Sequence, residues 1–243
     1  MIVLLKIAWR NINRNRYRSM ITIASIGIGF TSLILLRAFV DGSHYQMIDN
    51  YTGLVSGHVQ IHKDGFHDNM GLSRSIKDPA KIEAAIAKNS MVLSAAPRVK
   101  DYCLISSAEQ SSGVLLMGID PEREKEITEL HKRIGKGRFI ENSEDVVIGK
   151  SLAKLLNVDL QDKIVLLGQA YDGSLASGAY RICGLLDTGA DEIDKGFVLI
   201  TLTAAQELFV LDKKVSEFAL RVNTHEEVKE AAATLKDSLS SGE

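Results

Sequence analysis

The feature that most constrains this chain is an uncharged apolar run at residues 19–36, which continues to residue 40 with Arg37 as its only charge. At about 1.5 Å per residue, roughly 20 helical residues cross a hydrocarbon core about 30 Å thick. A cleaved signal peptide has a shorter basic region and a shorter apolar core, and a buried helix of a soluble protein rarely lacks charge for so long. The run therefore predicts a transmembrane helix at residues 19–40.

Basic residues alone flank this run on its N-terminal side, at positions 6, 10, 14, 16 and 18. Because Lys and Arg are retained in the cytoplasm, the N-terminus is predicted to be cytoplasmic and residues 41–243 to be exported. The first forty residues carry six positive charges and no negative one, so the exported part accounts for about -8 within the total of -2. A mildly acidic exported part argues against nucleic-acid binding, which requires a basic face.

The lead-in at residues 1–18 has a helical pattern of its own. Ile2, Leu5, Trp9 and Ile12 fall on one stripe, and the cations cover the other side. This pattern predicts an amphipathic helix in the headgroup plane, in contact with membrane lipid. A disordered basic tail is the alternative.

The exported part mixes predicted strands with predicted helices, which indicates an α+β fold. Helices are predicted after Asp78 and Asp120, each followed by proline, and at residues 150–157. Two capping boxes, Thr203 with Gln206 and Thr224 with Glu227, predict two more helices. A Gly- and Ser-rich segment at residues 169–178 is predicted to be a loop. Strands are predicted at residues 54–62, 99–106, 113–119, 145–149, 163–168, 179–186, 197–201 and 217–222.

Gly149, Lys150 and Ser151 follow a strand and open a helix, as in a phosphate-binding P-loop. That motif also requires glycine five positions earlier, where this chain has Glu144. A tight strand-to-helix turn at Gly149 is the prediction, and no nucleotide is expected to bind to this chain alone.

His58 and His62 share one face of a predicted strand, with His67 nearby, but no Cys or carboxylate cluster completes a metal site. Solvated or hydrogen-bonded histidines are therefore expected. No Ser nucleophile lies in an elbow motif either. We expect no catalytic, cofactor-binding or metal-binding residues. The two cysteines, Cys103 and Cys183, are compatible with a disulfide and equally with two buried thiols.

Within the predicted span, Thr22, Ser25, Gly29 and Ser32 fall on one helical stripe. Small and hydroxylated residues on one face let two membrane helices approach closely and hydrogen-bond. The stripe predicts a packing face for another helix, and chance placement of tolerated Gly and Ser residues is the alternative.

Six segments resemble, in order, the N-terminal half of ABC-transporter permeases of the MacB/FtsX type. The resemblance extends over nearly the whole chain and is strongest to the lipoprotein-releasing (LolC/LolE-like) branch. Its most specific part is the pattern VVIGxxLAxxLxVxxxDKI. The segments are AWRNINRNRYRSMITIASIGIGF, GHVQIHKDGF, APRV, LLMGIDPE, EDVVIGKSLAKLLNVDLQDKIVL and YRICGLL.

The resemblance implies a protein of the bacterial inner membrane, with an interfacial helix at residues 1–18 and a transmembrane helix at residues 19–40. A two-lobed mixed α/β periplasmic core domain is implied at residues 41–243. Its first lobe would comprise residues 41–108 and 190–243, and residues 109–189 would form an inserted lobe. Three later spans of the family do not follow residue 243, which indicates a partial sequence or a split permease.

The resemblance also implies partners. A separate cytoplasmic ABC ATPase subunit would move the periplasmic domain, and the remaining permease helices or a second permease copy would pack beside the span. The substrate class would be a lipoprotein or another amphipathic molecule, with a periplasmic lipoprotein carrier as a further partner. The alternative is a regulatory protein that transmits ATPase motion to a cell-wall hydrolase.

In lipoprotein-releasing relatives, a hairpin at the place matching residues 168–178 engages the periplasmic carrier. Here that stretch contains Tyr171, Asp172, Gly173 and Leu175. The resemblance implies Tyr171 and Leu175 as anchors in a partner's pocket. A solvated hairpin without a partner is the alternative.

Overall fold

The computed structural model describes residues 3, 6–7, 9–10, 14–51, 54, 56–66, 71–222 and 227–240. It consists of two compact units, Met1–Asn50 and Tyr51–Glu243. We describe each unit by itself.

The first unit contains helix α1, which runs without a break over Arg16–Tyr51. Its segment Arg16–Gly42 is long and apolar enough to cross a membrane, and none of its most apolar stretch is buried within the structure. The predicted span at residues 19–40 lies inside that segment. Ahead of α1 the described positions up to residue 14 are helical and Trp9 is exposed. Ile2, Leu5 and Ile12 of the predicted stripe lie outside the described residues.

The second unit mixes strands and helices, which confirms the predicted α+β class. Its strands are β1 (Val59–His62), β2 (Val92–Ser106), β3 (Ser111–Ile119), β4 (Ile134–Gly137), β5 (Asp145–Gly149), β6 (Lys163–Gln169), β7 (Leu175–Leu186), β8 (Phe197–Thr201) and β9 (Glu217–Val222). Its helices are α2 (Pro79–Ile86), α3 (Pro121–Ile127), α4 (Lys150–Leu156), α5 (Asp191–Gly196), α6 (Leu202–Leu208) and α7 (Val228–Ser240).

The strands form one sheet in the order β1-β9-β2-β3-β8-β5-β7-β4. Strand β6 pairs with β7 on one side and with the end of β2 on the other. The pairings β2-β3-β8-β5-β7-β6-β2 therefore make a closed circuit of six strands, which we call the ring. Strands β9 and β1 extend from the ring along the first part of β2.

The main hydrophobic core lies inside the ring. Alternate residues of all six ring strands contribute to it, because successive side chains of a strand point to opposite faces. Helices α4 and α6 add Leu152, Leu156, Ala205 and Leu208 to the same core. The residues contributed by ring strands include Val99, Ile105, Val114, Leu116, Val146, Ile148, Ile164, Leu166, Ile182, Val198 and Ile200.

Several predicted elements are confirmed with their bounds. Strands β5, β8 and β9 match the predictions at residues 145–149, 197–201 and 217–222. The Asp78 carboxylate accepts a hydrogen bond from Lys81 N at 3.3 Å at the start of α2. Asp120 does the same for Glu122 N at 3.1 Å at the start of α3. Short polar caps followed by proline were therefore dependable signals.

Other predictions about elements were wrong. The capping box at Thr203 is absent because Thr201 caps α6, accepting a hydrogen bond from Ala204 N at 3.3 Å. Half of the predicted loop at residues 169–178 is strand, since β6 and β7 pair as far as Gln169 and Leu175. Strand β1 is shorter than the predicted 54–62 and β2 begins seven residues before the predicted 99–106. Thr224 lies outside the described residues.

The ring contains strands from both of the predicted lobes. Strand β8, from the predicted first lobe, lies between β3 and β5 of the predicted inserted lobe. Hydrogen bonds therefore cross both predicted boundaries, near residues 109 and 189. The lobe boundaries stay a prediction.

Cys103 and Cys183 are both buried, and both are free thiols. Cys103 belongs to the core inside the ring and Cys183 to a second hydrophobic cluster. Of the two alternatives left open by the sequence, the structure has buried thiols.

A group of four buried charges, which we call the charge cluster, joins β2, β9 and α3. Arg98 is fully buried, and its Nε and Nη2 donate to Glu124 at 3.0 and 2.6 Å. Its Nη1 donates to Glu217 Oε1 at 3.2 Å, and Lys100 Nζ lies 2.6 Å from the same oxygen. The Thr128 hydroxyl donates to Glu124 Oε1 at 2.7 Å.

The charge cluster is neutral and closely hydrogen-bonded, which offsets the cost of taking its ions out of water. Burial tends to raise the pKa of Glu217, but Lys100 and Arg98 outweigh it and hold that pKa below its usual value. At Lys100 burial is the larger effect, and it lowers the pKa of the ammonium despite the attraction of Glu217. Because two cations contact its carboxylate, Glu217 is held in its ionised state more strongly than Lys100 is held in its own.

We expect Arg98→Ala to lower the free energy of unfolding by about 3–5 kcal/mol, because it leaves Glu124 and Glu217 buried without their main counter-ion. Arg123→Ala is the matched control. Arg123 pairs with Glu83 at 2.6 Å, where both side chains are more than a third exposed, and its Nε donates to Ala95 O at 2.9 Å, so its loss should cost no more than about 2 kcal/mol. Urea unfolding followed by circular dichroism measures both, and equal losses would contradict this expectation.

Candidate functional site

The stripe of small residues predicted in the span lies on α1 as expected. Thr22, Ser25, Gly29 and Ser32 are all exposed within the described residues. A side chain built at Gly29 would meet nothing within 4 Å. The stripe therefore offers free surface to another helix.

Two hydroxyls of the stripe are already bonded within their own helix. Thr22 Oγ1 donates to Arg18 O at 3.0 Å, and Ser25 Oγ donates to Ile21 O at 2.8 Å. Bonds of this kind let Ser and Thr sit in an apolar helix without another partner. This face would therefore attract a neighbouring helix by letting the two backbones approach closely, and not through hydroxyls that lack a hydrogen-bond partner.

The predicted partner loop is the tight turn of the β6–β7 hairpin, at residues 170–174. Ala170 N donates to Ser174 O and Gly173 N donates to Ala170 O, each at 2.9 Å. Gly173 has a φ of 85°, which favours glycine. Asp172 accepts from the Ser174 hydroxyl at 2.6 Å and from its N–H at 2.9 Å, and the hydroxyl bond chiefly lowers the pKa of the Asp172 carboxyl.

The two predicted anchors of this loop have different environments. Tyr171 is partly buried and packs against the core inside the ring. Its N–H donates to Phe209 O at 2.9 Å, and Lys214 Nζ lies 4.7 Å from the centroid of its ring. Leu175, by contrast, is 79% exposed. Tyr171 fixes the hairpin to the domain, and Leu175 is the side chain available to a partner.

Leu175 belongs to a larger apolar surface that the sequence predictions missed. We call this surface the outer face; it is the solvent side of β7, β6, β2 and β3. Register places Leu175 beside Gln169, Leu167 beside Leu104, and Tyr102 beside Leu115. Tyr102, Leu104 and Val165 are 59%, 41% and 36% exposed. The signal was available in β2, where both alternating sets, Tyr102 with Leu104 and Cys103 with Ile105, are apolar.

The polar side chains of the segment that resembles a P-loop are bonded to other residues of this chain. Lys150 Nζ pairs with Asp187 Oδ1, and the Ser151 hydroxyl donates to Asp191 Oδ1 at 2.7 Å. A Cβ at position 149 would lie 2.0 Å from the carbonyl oxygen of Asp194. Gly149 is therefore required by close approach of another backbone, whereas its φ of -70° would suit any residue.

The predicted histidine pair lies within hydrogen-bond distance of backbone atoms. His58 Nδ1 lies 3.2 Å from Val222 O and 3.3 Å from Val222 N, across from β9. His62 Nδ1 lies 3.4 Å from Lys63 O. His67 lies outside the described residues.

The profile of the MacB-like periplasmic core domain family matches residues 19–238. Among curated proteins, the chain is 26% identical over 235 residues to the lipoprotein-releasing system transmembrane protein LolC of Neisseria meningitidis serogroup B, covering 91% of this chain and 54% of that protein. It is 26% identical over 213 residues to LolC of Xylella fastidiosa (strain Temecula1), covering 82% and 48%. The chain thus spans about half the length of the curated relatives it matches.

Two solved structures share the fold. The periplasmic region of MacB from Actinobacillus actinomycetemcomitans matches with a TM-score of 0.52 at 15% identity, covering 81% of this chain and 88% of that one. The extracellular domain of the noncanonic ABC-type transporter YknZ from Gram-positive bacteria matches with a TM-score of 0.50 at 14% identity, covering 74% and 93%. These matches confirm the resemblance found in the sequence. The chain belongs to the MacB-like periplasmic core domain family.

Proposed function

We propose that the chain is the N-terminal half of the permease subunit of a MacB-type ABC transporter, and that it handles or releases a lipoprotein or another amphipathic substrate. The observation that carries this proposal is the family match, which runs from the apolar segment of α1 to residue 238 in α7. The match to LolC proteins favours lipoprotein release within the family. ATP hydrolysis would be carried out by a separate cytoplasmic ABC ATPase subunit.

The proposed location is the bacterial inner membrane, with the N-terminus in the cytoplasm and the second unit in the periplasm. The basic residues before the apolar segment support this orientation, because they are retained in the cytoplasm. Lead-in residues including the exposed Trp9 would lie against lipid headgroups.

Two surfaces would carry the partner contacts. The stripe with Gly29 at its centre would pack against the remaining permease helices or a second permease copy. The hairpin, with Leu175 exposed beside the outer face, would engage a periplasmic lipoprotein carrier. An exposed apolar anchor of this kind contributes strongly when a partner's pocket buries it.

The central test is purification of the protein from native membranes through a tag placed on its chromosomal gene. We expect an ABC ATPase subunit to co-purify and the preparation to hydrolyse ATP, because the family's periplasmic domains are proposed to move with ATP hydrolysis. The same preparation with the catalytic glutamate of the ATPase replaced serves as the control. Absence of any ATPase subunit after cross-linking would contradict the proposal, and a co-purifying cell-wall hydrolase would favour the regulatory alternative.

The hairpin part of the proposal is tested with Leu175→Ser. We expect capture of the periplasmic carrier to weaken about tenfold, since a buried leucine anchor contributes on the order of 1.4 kcal/mol or more. Leu93→Ser is the matched control, because Leu93 is also exposed, at 61%, and lies on the first part of β2, away from the hairpin. Carrier binding that is equally strong in parent and Leu175→Ser would show that the hairpin is only a turn.

A further inference from the structure

Strand β2 has an open stretch of edge between its two neighbours on one side. Strand β9 pairs with it at residues 92–98, and β6 pairs with it at residues 104–106. Among the strands described, none pairs with residues 99–103 on that side. Ser216 fills part of the gap, since its hydroxyl accepts from Lys100 N at 2.9 Å and donates to Lys100 O at 3.2 Å.

At Asp101 and Tyr102 the gap borders a cleft of about 440 Å³ between β2 and the β6–β7 hairpin. One side is formed by the loop before α2 and the other by the hairpin. The lining residues with polar side chains are Ser73, Asp101, Tyr102, Gln169 and Tyr171. Asp101 is the only charged residue among those lining it in the described part of the chain.

The Asp101 side chain lies on the core-facing side of β2, because it alternates with the buried residues Val99 and Cys103. Among the described residues it takes part in no ion pair. Loss of water around the carboxyl raises the pKa of Asp101 to about 6, against the opposing hydrogen bond from the Tyr102 backbone. The structure thus holds a partly dehydrated carboxylate that lacks a counter-ion.

The other ionisable groups around the cleft leave this charge uncompensated. Burial raises the pKa of the neighbouring Cys103 thiol to about 12, so the thiol is neutral. Lys214 lies over the ring of Tyr171 at 4.7 Å and within 3.4 Å of Asp212. Asp172 is exposed at the hairpin tip and engaged with Ser174.

The open edge of β2 supplies acceptors beside the carboxylate. Lys100 presents its N–H and C=O to this side, so alternation along the strand directs those of Tyr102 to the same side. The cleft therefore combines one negative charge with the backbone carbonyl of Tyr102, and Gln169 also lines it. A guanidinium, with five N–H donors in a planar fork, is the cation that matches several acceptors at once.

We propose that this cleft is a docking site for an arginine side chain of a partner protein, with the Asp101 carboxylate as its counter-ion. A metal ion is the poorer match, since the described lining provides a single carboxylate and hard cations take several oxygen ligands. The inference concerns the cleft alone and does not rest on the proposed transport role.

The test uses the full chain in lipid nanodiscs with its aspartate carboxyl carbons labelled with 13C. The Asp101 signal is the one missing from Asp101→Asn. N-acetyl-arginine amide is the probe, and N-acetyl-citrulline amide is the control because it has nearly the same shape without the charge. We expect the arginine probe to lower the pKa of Asp101 and to bind about tenfold more tightly when that carboxyl is ionised than when it is protonated.

Asp101→Asn should weaken binding of the arginine probe about tenfold, since it removes the charge and keeps the shape. Asp172→Asn, at an exposed carboxylate of the same hairpin, should leave binding unchanged. Equal binding of citrulline and arginine probes would overturn the proposal. So would an Asp101 signal that stays unchanged up to about 100 mM arginine probe, far above the dissociation constant expected for a specific site.

Discussion

The pairing of Arg98 with Glu124 and Glu217 is the interaction on which the rest of the second unit depends. It joins β2, β9 and the helix α3, which lie far apart in sequence, at a point where none of the charges can reach water. An ion buried in this way is costly unless its partners are in place, so the cluster tolerates only one relative placement of the three elements. Strand β9 then carries β1 and fixes the edge of the sheet.

The closed ring determines where the surfaces with a proposed function lie. The helices that complete the core pack with the apolar side chains of the ring's inner face. The apolar side chains on the outer face of β7, β6, β2 and β3 are covered by no other element among the described residues. The hairpin turn and the open edge of β2 meet next to that outer face. A partner that buries Leu175 would therefore also be within reach of the Asp101 cleft. One domain would then bind both an apolar group and a cationic group of the same partner.

The sequence was most informative where a single local rule decides the structure. The apolar run, the Asp–Pro helix starts and the strands β5, β8 and β9 were predicted with nearly their observed bounds. The rest depends on contacts between distant residues. The extension of β7 back to Leu175 comes from pairing with β6, and a helix cap at Thr201 instead of Thr203 follows from where β8 ends. No local pattern marks Arg98 as a buried residue, because its partners lie 26 and 119 residues away.

The charge cluster is tested most directly by the pH dependence of the stability difference between the parent protein and Glu217→Gln. The folded pKa of Glu217 lies below the usual 4.5, so its contribution is present above pH 4.5 and is lost as the pH falls through the folded value. Urea unfolding at a series of pH values should therefore show a large difference near neutral pH that shrinks below pH 4.5. A difference of the same size at about pH 7 and about pH 3.5 would contradict the account, because it would mean that packing, and not charge pairing, makes Glu217 important.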